Sequence, residues 1–155
     1  MSTEIERKFL VRGSDWKNAS GVAYCQGYLN RSKERTVRVR IAGEQAFLTI
    51  KGIANGISRS EFEYTIPVAD AHALLQLCDG PLIRKIRYRV PYRCHTWEVD
   101  EFFGDNAGLV VAEIELQHEN QPFDKPDWVA QEVSSDARYF NSSLATHPYC
   151  QWQET

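Results

Sequence analysis

Charged side chains recur at every second position in several short segments of this 155-residue chain. The first segment alternates Glu4, Glu6 and Lys8 with other side chains. On a strand, residues two apart share one face, whereas on a helix they point to different sides. The spacing therefore predicts a strand that presents two carboxylates and one ammonium group side by side.

The basic residues in such segments are suited to binding phosphate. Arginine binds phosphate oxygens with two parallel hydrogen bonds, and lysine adds a compact point charge beside it. The candidates for a phosphate-binding surface are Arg38, Arg40, Lys51, Arg59, Lys85 and Arg87. A small ligand rich in phosphate is the class that this surface fits.

The acidic residues supply the oxygen ligands that hard cations such as Mg²⁺ or Mn²⁺ prefer. The candidates are Glu4, Glu6, Glu61, Glu63, Asp100, Glu113 and Glu115. Carboxylates repel a phosphate group unless a metal ion lies between them. Acidic and basic residues together therefore predict a metal-bridged, phosphate-rich ligand. The chemistry that this indicates is attack of water, or of an internal hydroxyl, on a phosphoryl group.

Eight short segments with strand-like alternation must position these side chains. The predicted strands are 3–11, 24–30, 36–41, 45–51, 59–66, 83–90, 96–102 and 109–116. The apolar spacing becomes helical at residues 67–77, and one or two further helices are predicted within 126–129 and 136–145. Short connections predict antiparallel neighbours, and closure into a barrel removes exposed strand edges.

Each predicted strand has one apolar face and one charged face, which allows two interpretations. The charged faces are either solvated, as on a one-sided antiparallel sheet, or they line a water-filled interior. The density of Arg and Glu across all the strands favours the second interpretation, with charges of both signs facing one another. The predicted fold is therefore α+β but mainly β: an eight-stranded antiparallel β-barrel, or tunnel, with a charged interior and a few flanking helices.

Composition narrows the class of protein. With 43% hydrophobic and 25% charged residues, the chain is typical of a soluble protein, and we expect residues 1–155 to form one domain. A net charge of −3 argues against a nucleic-acid partner, and no apolar run is long enough to span a membrane. The four cysteines form no CxxC pair, and no signal peptide is recognised. We expect a cytoplasmic protein with reduced thiols, either a monomer or a homodimer.

The charged segments together resemble the CYTH superfamily, the triphosphate tunnel metalloenzymes. Glu4 to Phe9 is similar to the family's E-x-E-x-K signature, which alone is a weak signal. Six more stretches follow in the family's order, and together they make the resemblance specific: 36–40, 49–52, 59–63, 85–88, 97–100 and 112–116. Residues 139–145 also resemble the family's closing helix.

The resemblance implies an eight-stranded tunnel and assigns roles to its charged residues. The six basic candidates, together with Lys8, would bind a triphosphate. One or two divalent ions would be held by Glu4, Glu6, Glu113 and Glu115, with Asp100, Glu61 and Glu63 as further candidates. Lys8 would orient or polarise the reacting water. Tyr28, which shares an inward face with Tyr24 and Gln26, is either a proton acceptor or a hydrogen-bonding wall residue.

The family's members differ in chemistry, and the fold does not choose among them. Inorganic triphosphatase is favoured because the chain is short and its inward positions are nearly all charged. The runner-up is an adenylate cyclase, which would need an adenine slot at Phe47, Tyr24 or Tyr28; a thiamine or nucleoside triphosphatase is a further alternative. A non-catalytic polyphosphate or nucleotide sensor is disfavoured, because it would not need so many metal-binding carboxylates.

Overall fold

A computed structural model describes residues 2–18 and 20–152. Residues 1, 19 and 153–155 of the expected domain lie outside this description. The described ranges contain strands β1 (Ser2–Val11), β2 (Gly21–Asn30), β3 (Arg35–Ala42), β4 (Gln45–Gly52), β5 (Ser58–Ile66), β6 (Asp79–Tyr92), β7 (His95–Phe102), β8 (Val110–Glu115) and β9 (Val129–Glu132). They also contain helices α1 (Val68–Leu75) and α2 (Asn141–Leu144).

Eight of the strands in the described ranges close into an antiparallel barrel. Their order around the ring is β5-β4-β3-β2-β6-β7-β8-β1, and the pairing of β1 with β5 completes it. Strand β9 pairs with the last residues of β1, beyond the segment that contacts β5. The predicted eight-stranded antiparallel barrel is confirmed, with β9 as an addition.

The tail differs from the prediction in one respect. A helix at 126–129 is wrong, because Val129 begins β9 and pairs with Val11 of β1. The free edge of β1 at this point offers backbone hydrogen-bonding groups that an extended tail can satisfy. The second predicted segment, 136–145, does contain helical structure, as a 3₁₀ turn at Ala137–Tyr139 followed by α2.

The apolar faces of the barrel point outward and are covered by the rest of the chain. Helix α1 packs through Ala71 and Leu75 against Val39 of β3. On another side, the rings of Phe9 and Trp97, each 0% exposed, lie edge to face at 5.5 Å. Two apolar clusters therefore lie outside the ring, and most of the inner face is left for charged side chains.

One end of the barrel interior is apolar. Ile83, Phe102 and Val111 continue the inward faces of β6, β7 and β8, and they form one cluster with Tyr28 and Leu144 of α2. The C-terminal segment thus closes this end, and the charged cavity occupies the rest of the interior. Neither helix in the described ranges is long and apolar enough to cross a membrane.

Candidate active site

The barrel encloses a cavity of about 320 Å³, lined mainly by charged and polar side chains. All the site residues predicted from the sequence line it except Asp100. Those lining it are Glu4, Glu6, Lys8, Tyr28, Arg38, Arg40, Lys51, Arg59, Glu61, Glu63, Lys85, Arg87, Glu113 and Glu115. Because the strands alternate inward and outward positions, one spacing rule places all of these side chains in the same space.

The order of the strands separates the charges into two halves. Strands β7, β8, β1 and β5 are consecutive in the ring and carry the inward carboxylates, so we call them the acidic half. Strands β4, β3, β2 and β6 are also consecutive and form the basic half, which carries Lys51, Arg38, Arg40, Lys85 and Arg87. A ligand in the cavity therefore meets carboxylates on one side and cations on the other.

Two cations of the acidic half are exceptions to this division, and each lies beside a carboxylate. Lys8 Nζ is 3.1 Å from Glu113 Oε2, and Arg59 Nε is 3.7 Å from Glu4 Oε1. Burial lowers the pKa of Lys8, but Glu113 and Glu6 raise it by more, so the net pKa is raised. Lys8 is accordingly a protonated ammonium group placed among carboxylates.

Ion pairs hold several of the carboxylates in place. Lys51 Nζ donates to both carboxylate oxygens of Glu4 at 2.9 Å. Arg87 Nη2 donates to Glu113 Oε1 at 3.1 Å. Burial alone would raise the pKa of Glu113, but Lys8 and Arg87 lower it to about 2. Glu113 is therefore ionised at neutral pH.

Asp100 lies behind the cations instead of on the cavity surface. Its side chain accepts hydrogen bonds from Lys85 Nζ at 2.7 Å and from Arg87 Nε and Nη2 at 2.7 and 2.9 Å. Burial raises its pKa, yet Arg87 and Lys85 hold the pKa of Asp100 well below its usual range. Both of its oxygens are occupied by these donors. This geometry favours an anchoring role for Asp100, whose part in metal binding stays a prediction.

Glu6 and Glu115 face each other as partners on β1 and β8. Within the described ranges, neither of these two carboxylates makes an ion pair, whereas the neighbouring Glu4 and Glu113 each make two. Burial, together with the charges of Glu113 and Glu4, raises the pKa of Glu6 to about 7. Burial and the charge of Glu4 also raise the pKa of Glu115. This crowding of carboxylates is the electrostatic situation that an added cation relieves.

The carboxylates are not gathered into a metal cage as they stand. Within residues 2–18 and 20–152, no three His, Cys, Asp or Glu side chains are close enough together to hold a metal ion. The reason is that Glu4 and Glu113 are turned toward lysine and arginine partners. The donor set itself, carboxylate oxygens facing a polar cavity, fits a hard divalent cation. Binding one would require these carboxylates to exchange their present partners.

The basic half contains donors that are not hydrogen-bonded to carboxylates, although Arg38 Nη2 lies 3.7 Å from Glu63 Oε2. Arg38 Nε is buried and has no hydrogen-bond partner among the described residues. Arg40 Nε donates to the neutral oxygen of Gln26 at 2.8 Å. Burial and the guanidinium groups of Arg38 and Arg87 lower the pKa of Arg40. Buried donors and a partly compensated positive charge favour the binding of an anion here.

Comparison with known proteins identifies the family. The CYTH domain family model matches residues 2–149. This chain belongs to the CYTH family.

The CYTH chain is 51% identical to the inorganic triphosphatase of Acetivibrio thermocellus, over 99% of this chain and 100% of that protein. It is 36% identical to the inorganic triphosphatase of Nitrosomonas europaea, over 92% and 97% of the two chains. A crystal structure of an inorganic triphosphatase matches it with a TM-score of 0.68 at 34% identity, covering 94% of this chain and 95% of that one.

The CYTH cavity also contains polar residues that sequence reasoning missed. Glu98 lines the cavity and lies 3.3 Å from Arg87 Nη1. Its alternation with Asp100 in the predicted strand was a signal that could have found it. Ser134 and Asn141 line the cavity as well, but they come from the tail after β9 and from α2. No spacing in the sequence indicates that these tail residues reach the tunnel.

Proposed function

We propose that this CYTH protein hydrolyses inorganic triphosphate to pyrophosphate and phosphate, with the help of divalent cations. The observation that carries the proposal is the small cavity, about 320 Å³, with one acidic and one basic half. A compact, wholly polar polyanion fits the basic half, and hard cations fit the acidic half. The two inorganic triphosphatases that resemble the chain support the same substrate.

The basic half would bind the phosphate oxygens. Arg40 makes no ion pair among the described residues, and Arg38 Nη2 lies 3.7 Å from Glu63 Oε2, too far for a hydrogen bond. Lys51, Lys85 and Arg87 are hydrogen-bonded to protein carboxylates, so they would interact with those carboxylates and with the substrate at once. Arg59, which is half-buried, would add a further contact. A divalent cation held by Glu4, Glu6, Glu113 and Glu115 would supply the positive charge that offsets repulsion between these carboxylates and the phosphates.

Lys8 would act where the terminal phosphate reacts. Its Nζ lies 3.1 Å from Glu113 Oε2 and 3.2 Å from the carbonyl oxygen of Tyr139, which fixes the ammonium group near the closed end. Water would attack the terminal phosphorus, the bond to the bridging oxygen would break, and pyrophosphate would leave with that oxygen while a phosphate oxygen of the products takes up the proton lost by the water. Lys8 would stabilise the negative charge on the terminal phosphoryl oxygens in the transition state.

The cavity gives less support to the cyclase alternative, which needs a slot for adenine. The Tyr24 ring already has three cations near it, with Arg40 Cζ, Arg87 Cζ and Lys85 Nζ at 4.8, 5.1 and 5.8 Å from its centroid. Tyr28 is only 5% exposed. Of the three aromatic residues proposed for the slot, Phe47 is left as a half-exposed side chain on the cavity wall.

The proposal is tested by comparing substrates side by side. Purified protein is given inorganic triphosphate, ATP or thiamine triphosphate, each with Mg²⁺, with Mn²⁺ or with EDTA, while phosphate and cyclic AMP are measured. We expect phosphate release from triphosphate that EDTA abolishes, with ATP at least roughly tenfold slower because the cavity has little room for a base. Formation of cyclic AMP and pyrophosphate from ATP would replace this proposal with the cyclase.

Tyr28 should behave as a wall residue. It packs in the apolar cluster at the closed end, and this surrounding favours structural contact over proton transfer. We expect Tyr28→Phe, which removes only the hydroxyl, to keep kcat for triphosphate within about threefold of the wild type, since a lost general base would cost roughly 100-fold or more. Steady-state kinetics across neutral to alkaline pH measure this. A 100-fold loss would assign the proton acceptor role to Tyr28.

A further inference from the structure

Strand β2 carries no inward cation, unlike the other three strands of the basic half. In the ring it lies between β3 and β6, which both carry inward cations. Its own inward residues at this level, Tyr24 and Gln26, are neutral. Because β3 and β6 each pair directly with β2, these two side chains stand between two groups of like charge.

Gln26 connects the cations on its two sides through its amide. It is 0% exposed, and its Oε1 accepts the hydrogen bond from Arg40 Nε at 2.8 Å. Its Nε2 donates to Asn141 Oδ1 at 3.1 Å, and the same oxygen accepts from Lys85 Nζ at 2.9 Å. Both ends of the buried amide are therefore satisfied, which is the condition for burying such a group without penalty.

Tyr24 contributes its aromatic face to the same arrangement. Its ring centroid is 4.8 Å from Arg40 Cζ and 5.1 Å from Arg87 Cζ. The ring's negative face attracts cations at these distances without carrying a formal charge. Gln26 and Tyr24 thus hold Arg40 from two directions, and neither neutralises it.

We propose that Gln26, assisted by Tyr24, is a positioning residue that orients Arg40 toward the substrate phosphates while leaving its positive charge uncompensated. A carboxylate at position 26 would hold the guanidinium group equally well, but it would neutralise that group and repel phosphate. A hydrocarbon side chain would leave Arg40 Nε without its acceptor. An amide is the side chain that satisfies both the geometry and the charge. The inference rests on the proposed function in taking triphosphate as the anion.

The substitution Gln26→Glu separates positioning from simple packing. The new carboxylate would still accept from Arg40, but it could no longer donate to Asn141 Oδ1, so the free protein should fold with a moderately lowered thermal midpoint. The KM for triphosphate should rise at least roughly tenfold, because one phosphate-binding charge is neutralised, with a smaller change in kcat. The matched control is Gln45→Glu, the same chemical change at an exposed position at the start of β4.

A second measurement needs neither metal nor turnover. In EDTA, inorganic triphosphate should raise the thermal midpoint of the wild type and of Gln45→Glu, and this shift should be largely lost in Gln26→Glu. A lowered midpoint with an unchanged KM and an unchanged triphosphate shift would make Gln26 a packing residue and overturn the proposal. If the wild type does not hydrolyse triphosphate, the proposed function is wrong. If the wild type is active and Gln26→Glu keeps the same KM, only the role of Gln26 is wrong.

Tyr24 provides the test if Gln26→Glu does not fold. Tyr24→Phe keeps an aromatic face beside Arg40, whereas Tyr24→Leu keeps apolar bulk without that face. We expect wild-type KM in the phenylalanine variant and a KM raised severalfold in the leucine variant. Equal KM values in the two variants would show that the aromatic face does not position Arg40, and would also overturn the proposal.

Discussion

Replacing Glu6 by glutamine is expected to lower kcat/KM for triphosphate at least roughly 100-fold at low metal concentration, equivalent to about 3 kcal/mol of transition-state stabilisation. Glu6 lies in the crowded group of carboxylates, and burial with the charges of Glu113 and Glu4 raises its pKa to about 7. The amide keeps the shape of the side chain but removes the charge that attracts a divalent cation. Excess metal should therefore restore part of the activity.

The measurement is kcat/KM for triphosphate as a function of Mg²⁺ and Mn²⁺ concentration. The control is Glu132→Gln on β9, which removes a carboxylate that pairs with Arg7 at the exterior of the barrel. Glu4→Gln should resemble Glu6→Gln in its metal dependence, although it also loses the ion pair with Lys51. Near-normal rates at low metal concentration in either tunnel variant would contradict the assignment of these carboxylates as metal ligands.

Replacing Lys8 by alanine is expected to lower kcat by roughly 10²- to 10³-fold while changing KM much less. Lys8 is buried, and its ammonium group stands in the acidic half, away from the main cationic wall. It is therefore placed to act on charge that develops in the transition state more than on substrate already bound. The remaining partner of Glu113, Arg87, should keep that carboxylate in place.

Steady-state kinetics with triphosphate measure kcat and KM separately, and so distinguish transition-state stabilisation from substrate binding. Lys17→Ala is a suitable control, because Lys17 is a half-exposed lysine paired with Glu101 outside the cavity. Thermal midpoints of both variants show whether the fold is retained. A KM raised strongly with kcat preserved would instead make Lys8 a substrate-binding residue.

The fold could be predicted closely because one property of the sequence controls it. Alternation with a period of two, as in Glu4 and Glu6 or Arg38 and Arg40, assigns each side chain to a face of its strand. Too many faces were charged for one solvated sheet, which indicated a closed barrel with its charges inside. The same pattern predicted both the family and the eight-stranded ring, and both are confirmed.

The remaining features depend on which strands become neighbours, and the local pattern does not contain that information. Strand β2 pairs with β6 across a long stretch of chain, and this pairing places Gln26 between two cationic strands. The spacing identifies Asp100 as an inward carboxylate, but only the register of β6 and β7 shows that it lies opposite Arg87. Strand β9 was missed because Val129–Glu132 is short and is stabilised by an edge of β1 that only the folded barrel creates.

The most direct test of the tunnel as the site of triphosphate chemistry is a crystal structure of the Lys8→Ala variant with triphosphate and Mn²⁺. Anomalous scattering locates the manganese independently of the phosphates. We expect the phosphates to contact Arg38, Arg40 and Lys51 in the basic half. We expect manganese between the phosphates and the carboxylates of the acidic half, with Glu6 among its ligands. Triphosphate bound outside the barrel, or manganese held away from these carboxylates, would contradict the account.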